Sequence, residues 1–312
     1  MTQKTRAPQP DPTSIGNIAK PPFTRLPDPA TIFANRAARL RALAEGSDLG
    51  DYLDFLASLA GLQAEALADT PAPALPGAEV LARAAQHEMP PLDRAAFTGE
   101  NDPAFDALFD RMLDGAGALA MPEAAREALA RLKDAGPLAR AGAVANVMAD
   151  AIPAEEVAEH ALLAAVLQVH FARLTAGLDP ESLKPVGDGV CPACGGAPVS
   201  SLVVGWKGAE GTRFCSCSLC GTLWNYVRSR CTLCGSTRDI SFREVETGGD
   251  TDKTTVKAEC CGACRGYVKV FYQQQDPALD PVADDVASLG LDLLMRDLDF
   301  RRGAVNPFLT GY

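Results

Sequence analysis

The 312-residue chain is poor in aromatic side chains, at 6%, and holds only 3 histidines and 2 tryptophans. Scarce aromatics leave the packing to aliphatic residues and alanine, and alanine-rich cores are built from helices. Nowhere do eighteen or more uncharged apolar residues run together, so insertion into a membrane is not expected. Residues 1–20 carry charges and repeated prolines where an export signal would need an apolar segment, and the expected compartment is the cytoplasm. Glycines are frequent, yet none forms a Gly-x-Gly-x-x-Gly turn or a Walker-type loop, which removes support for nucleotide binding. Basic residues are outnumbered, 29 Lys and Arg against 40 Asp and Glu, for a net charge of −11. That balance argues against a nucleic-acid partner, whose phosphates draw on clustered positive charge. His87, His160 and His170 have no ligand spacing to one another, and no Ser/His/Asp or Cys/His arrangement can be built, so no catalytic residue is expected.

Cysteine is absent from both ends, and all 10 cysteines fall between Cys191 and Cys264. In a reducing compartment such clustering points to metal rather than to a disulfide framework.

Residues 1–29 form a proline-rich arm, expected to be disordered or extended. From about 30 to 184 the reading is helical: Tyr52, Leu53, Leu56, Leu59, Ala60 and Gln63 recur at three- and four-residue steps, as do Phe105, Leu108, Phe109 and Met112. Breaks at Gly46-Ser47-Asp48, 71–77, Met89-Pro90-Pro91, 99–103, Gly136-Pro137 and Ile152-Pro153 divide it into six or seven helices. The last, near 154–176, is apolar on more than one face and should be the central helix of a bundle. After Lys184-Pro185 the alanine runs give way to cysteine, glycine and β-branched residues. Residues 277–312 close the chain with an amphipathic helix carrying Val282, Val286, Leu289, Leu293 and Leu294.

The cysteines stand in four Cys-x-x-Cys pairs: Cys191/Cys194, Cys217/Cys220, Cys231/Cys234 and Cys261/Cys264. Each pair can place two thiolates on one cation, and eight thiolates make two closed tetrahedral sites. Gly195, Gly221 and Gly235 follow the second cysteine of their knuckles, where the chain needs positive φ; at the fourth, Arg265 precedes Gly266. The stretches 191–227 and 231–272 share one order of knuckle, β arm, glycine turn, β arm, knuckle and aromatic strand. Two tandem ribbons follow, 185–229 and 230–276, with turns near 208–211 and at Gly248-Gly249. Sequential pairing gives the sites Cys191/Cys194/Cys217/Cys220 and Cys231/Cys234/Cys261/Cys264; cross-braced pairing of alternate knuckles stays open. Spacing does not choose between structural zinc and rubredoxin-type iron, since tetrahedral S₄ suits both. A thioredoxin-like dithiol needs a single pair beside a βαβ unit, which this stretch lacks. Cys215 and Cys260 are left over, as spare ligands or as small buried residues. The ribbon cations Arg228, Arg230, Arg238, Arg243, Arg265 and Lys269 read either as charge balance for thiolate sites or, with Trp224, Tyr226 and Tyr267, as a nucleic-acid surface.

Three groups of motifs carry a resemblance: Arg36-Ala37-Ala38-Arg39-Leu40 with Asp51-Tyr52-Leu53-Asp54-Phe55 and Gln63; the knuckles Cys191-Pro192-Ala193-Cys194-Gly195, Cys217-Ser218-Leu219-Cys220 and Cys231-Thr232-Leu233-Cys234; and Asp284-Asp285-Val286 with Asn306-Pro307-Phe308-Leu309. In this order they resemble the family of formate dehydrogenase accessory proteins, FdhE. The resemblance implies a non-enzymatic assembly factor for respiratory formate dehydrogenase. Such a factor acts in the cytoplasm on the immature catalytic subunit, with iron in two rubredoxin-like S₄ sites. Zinc is the alternative metal, and a structural zinc-ribbon scaffold or nucleic-acid module the alternative function; a homodimer is left open. The expected fold is multidomain: an all-helical N-terminal domain, two tandem rubredoxin-like or zinc-ribbon-like modules, and a C-terminal helix.

Overall fold

The computed structural model describes residues 21–68, 70–245 and 254–309. The first twenty residues of the proline-rich arm and the Gly248-Gly249 turn lie outside them.

Seven α-helices make up the first half: α1 (Pro29–Ala44), α2 (Gly50–Ala66), α3 (Ala78–Gln86), α4 (Pro103–Ala116), α5 (Glu123–Asp134), α6 (Pro137–Met148) and α7 (Val157–Ala176). α1 and α4 start alike. Asp28 and Asp102 accept hydrogen bonds from the first free amides, and the following proline supplies a preset φ where no donor is needed. The stop between α4 and α5 is not among the breaks the sequence suggests. Gly117 and Pro122 make it inside an alanine-rich stretch where apolar spacing carries little contrast.

α7 is the central helix, with Leu163, Ala165, Val166, Leu167 and Val169 fully buried. By length and composition the segment Ala154–Ala176 could cross a membrane, but 72% of its apolar window is buried inside the protein. Its polar residues are covered too and find partners. Gln168 accepts from the Gln63 amide of α2 at 3.1 Å, and Gln63 also donates to the Ala165 carbonyl at 2.8 Å. A buried amide left unpaired costs about 1–3 kcal/mol, so this pair fixes α2 against α7 in one register.

The cysteine-bearing half forms one sheet from β1 (Thr24–Arg25), β2 (Pro198–Val203), β3 (Arg213–Cys217), β4 (Leu223–Asn225), β5 (Ile240–Arg243), β6 (Val256–Cys261), β7 (Gly266–Tyr272) and β8 (Arg301–Arg302). The order is β1-β4-β3-β2-β7-β6-β5, with β8 also on β7. Each module is an antiparallel three-strand meander, β2-β3-β4 and β5-β6-β7. The modules join where β2 and β7 run parallel, with Ser200 opposite Lys269 and Val203 opposite Tyr272. Every residue of β2 and β3 is buried, because both faces of that part of the sheet are covered. Cys215 and Trp224 pack toward the helices, while Leu202, Phe214 and Phe271 pack with Leu279 on a separate core.

The C-terminal segment is helical, in two pieces, α8 (Ala283–Ala287) and α9 (Leu289–Arg296). The break falls at Ser288, where Lys269 Nζ takes the Asp285 and Ser288 carbonyls and the Ser288 hydroxyl at 2.8–3.0 Å. Lys269 is fully buried and pairs with Asp285 and Asp292, so it anchors this segment to β7 rather than balancing a thiolate site. On the helical side Arg36 pairs with Asp280 at 3.1 Å, Arg39 grips Asp284 with two nitrogens, and Tyr52 donates to the Phe308 carbonyl at 2.6 Å.

Candidate metal centres

All four knuckles close in the same way. The amide of the residue after the second cysteine donates to the carbonyl of the first: Gly195 to Cys191, Gly221 to Cys217, Gly235 to Cys231 and Arg265 to Cys261, at 2.9–3.2 Å. That residue must enter the left-handed region, and φ is +80°, +73°, +71° and +58° in turn. Glycine does this without strain. At Gly235 a Cβ would also stand 2.1 Å from the Asp188 carboxylate, so no larger residue fits there.

The turns bring together two sets of sulfurs, each within 4.8 Å of one another: Cys191, Cys194, Cys217 and Cys220, and Cys231, Cys234, Cys261 and Cys264. Consecutive knuckles share a set; alternate ones do not. In the first set Cys191 and Cys220 are 3.6 Å apart and Cys194 and Cys217 3.5 Å; in the second, Cys231 and Cys264 are 3.9 Å apart and Cys234 and Cys261 3.8 Å. A tetrahedron with metal–sulfur bonds of about 2.3 Å has edges of about 3.8 Å, so both donor sets fit one cation each. Bonded disulfide sulfurs would be separated by about 2.0 Å, which none of these pairs approaches.

Electrostatics point the same way. Burial pushes the Cys191 thiol well up. Against the same burial, hydrogen bonds from Cys191, Cys194, Cys217 and Thr222 draw Cys220 well down. Four buried sulfurs cannot all be anionic unless a cation sits among them. One protein cation does stand beside the first set. Arg94, which opens a single 3-10 turn (Arg94–Ala96) before α4, pairs with Asp150 at 3.1 Å and donates to the Met148 carbonyl. Burial opposes its charge, but Asp150 and the Cys194 and Cys217 sulfurs outweigh it and raise its pKa. Nothing in the cysteine spacing marks Arg94, because it arrives from the helical half.

The second set is braced by a small polar cluster. Arg230 pairs with Asp188 at 2.9 Å and donates to the Gly235 carbonyl at 2.8 Å, and the Tyr226 hydroxyl donates to Asp188 at 2.5 Å. Burial, then Asp188, raise the pKa of Tyr226 and keep it a donor. This ties the end of β4 to the third knuckle. Leu233 N–H points at the Cys231 sulfur, 3.4 Å away.

Cys215 and Cys260 join neither set. Both are buried, and burial pushes their thiols up to about 12 and about 11, so they are neutral packing residues. The histidines stay in the helical half: His87 is exposed, His160 is buried beside Asn146, and His170 is buried 3.2 Å from Asp102.

Three family models match the chain in succession: "FdhE, N-terminal" over residues 21–188, "FdhE, central domain" over 190–228 and "FdhE, C-terminal domain" over 229–309. The protein FdhE homolog of Rhizobium meliloti is 48% identical over 304 residues, covering 97% of this chain and 98% of that one. The homolog of Pseudomonas aeruginosa is 34% identical over 294 residues, covering 93% of each. The crystal structure of the FdhE protein from Pseudomonas aeruginosa is similar with a TM-score of 0.82 at 32% identity, covering 93% of this chain and 99% of that one.

Proposed function

The chain belongs to the FdhE family, and on that premise we propose that it is an accessory factor in the maturation of respiratory formate dehydrogenase. It acts in the cytoplasm and binds the immature catalytic subunit. Its metal ligands are Cys191, Cys194, Cys217 and Cys220 in one module and Cys231, Cys234, Cys261 and Cys264 in the other. The observation that carries this reading is the pair of sulfur cages, each with the edge length of a tetrahedral thiolate site. Rubredoxin-type iron is the metal of the proposal; when bound it supplies a one-electron centre, whereas zinc would only hold the fold. Four protein ligands per cation leave no open coordination position for a substrate, which favours an assembly factor over an enzyme. The proposed division is an arm at 1–29, a helical domain at 30–184, modules at 185–229 and 230–276, and a closing segment at 277–312; family models that meet near 189 and 229 support the two boundaries around the first module.

Two measurements test it. Anaerobic purification with metal analysis should return two iron equivalents and visible absorption; a colourless chain with two zinc equivalents would replace the metal. Co-purification with the apo catalytic subunit should retain that subunit, and its failure to bind would remove the assembly role.

A further inference from the structure

The two cages share one construction and face different surroundings. Cys191, Cys194, Cys217 and Cys220 are 0, 1, 2 and 0% exposed. The helical half closes over them. Leu92 N–H donates to the Ala193 carbonyl at 3.0 Å inside the first knuckle, and Gln168 of α7 reaches the Ser218 carbonyl at 2.8 Å inside the second. Pro90 lies against Gly195, and Ile32 and Pro27 against Gly221. In the other cage Cys231 and Cys261 are buried, but Cys234 and Cys264 are exposed. These are the second cysteines of their knuckles, so one edge of the sulfur tetrahedron faces solvent.

Resting on the reading that both cages hold metal, we infer that they differ in exchange: the first keeps its cation fixed, and the second exchanges its cation through the Cys234 and Cys264 edge. Exchange at a closed S₄ site needs an incoming donor to reach the cation as a thiolate leaves. Each departing sulfur must then be hydrated or take a proton from water. At the second cage both conditions are met on the outer edge. At the first, an approaching ligand meets packed protein on every side, and a sulfur leaving the cation would be a buried anion with no hydration. Removing the first cation would also loosen the seam between the helices and the sheet, whereas the second sits at the periphery.

The test uses the full chain loaded with zinc, a cation suited to the same donors. After metal analysis shows two equivalents, the chromophoric chelator 4-(2-pyridylazo)resorcinol is added at neutral pH while N-ethylmaleimide labelling is followed cysteine by cysteine by mass spectrometry. One equivalent should leave at least about tenfold faster than the other. Cys234 and Cys264 should label first, Cys231 and Cys261 with the fast equivalent, and the four first-cage cysteines with the slow one. A Cys234→Ser/Cys264→Ser double variant should keep one equivalent and only the slow phase. Single-phase release, or earlier labelling of the first cage, would overturn the inference while leaving the metal reading intact. Fewer than two equivalents at the outset would overturn both.

Discussion

Arg265 occupies the turn position that the other three knuckles give to glycine, at φ +58°. A side chain in this region costs about 1–2 kcal/mol. Part of that is offset by the guanidinium, which bonds the Asp299 carbonyl and carboxylate at 2.8 Å and lies 4.3 Å over the Phe300 ring. Arg265→Ala loses these contacts and keeps the strain, while Arg265→Gly loses both. The glycine variant should therefore be more stable than the alanine variant by about 1 kcal/mol, read from denaturation midpoints of the zinc-loaded chain. His170 offers a pH test. Burial, with Arg173 adding to it and Asp102 opposing, lowers its pKa. The unfolded chain then binds the proton more readily, so stability is full above the ordinary value of about 6.5 and falls as pH drops through it. His170→Gln should lose less stability than the wild type between neutral and mildly acid pH. Equal losses would assign the acid sensitivity elsewhere. At this scale the four knuckles were legible, because their spacing is local and repeated, and the repeat favoured the sequential grouping of sulfurs that the fold brings together. Arg94 was not, since its approach depends on how the helices dock.

Single pairs join whole elements. Arg213 on β3 meets Glu259 on β6 across the two intervening strands, with both nitrogens at 2.8 Å and both side chains buried. Burial raises the Glu259 carboxyl while Arg213 pulls it down, so the carboxylate depends on its partner. Arg213→Met should cost about 3–5 kcal/mol in a denaturant titration, and adding Glu259→Leu should recover most of it, because a stranded buried charge is worse than none. Cys191→Ser tests the pairing of knuckles. One metal equivalent should disappear and, with no chelator added, Cys217 and Cys220 should become alkylatable, while Cys231 and Cys234 label no faster than in the wild type. Loss at Cys231 and Cys234 instead would show metal bridging of alternate knuckles. The alternation of β arms with knuckles could be read from the repeat, but not β3, whose Arg-Phe-Cys-Ser-Cys has no β-branched residue, nor the parallel pairing of β2 with β7, which local pattern does not encode. The closing helix shows the same limit. Its apolar spacing runs through Ser288, and the buried Lys269 that marks the break comes from another element.

Across the whole molecule, the family-like motifs outside the knuckles are fasteners. Arg36 and Arg39 near one end hold Asp280 and Asp284 near the other, and Tyr52 holds the Phe308 carbonyl. Asp285 sits at the centre of the closing network, fully buried with Lys269, Arg302 and Asn306 around it. Burial alone would push its carboxyl up, but Arg302 and Lys269 hold it below the usual carboxylate range. The stability it contributes is present above an unfolded value of about 3.9 and lost as pH falls through the lowered one. Asp285→Asn should destabilise the chain by about 3–5 kcal/mol at neutral pH, with a smaller deficit in strong acid, as followed by circular dichroism.

The parallel seam has a geometric consequence of its own. Because β2 and β7 point the same way, the second module follows the first by translation along the sheet, not by a two-fold axis. The edge that a module offers is then unlike the edge that it accepts, as in a filament subunit, and such a row has a direction but no inherent end. Thr24 and Arg25, laid antiparallel on β4, act as the stop at one end of this two-member row. A short strand that precedes the helices in sequence thereby terminates the sheet at its β4 end in space.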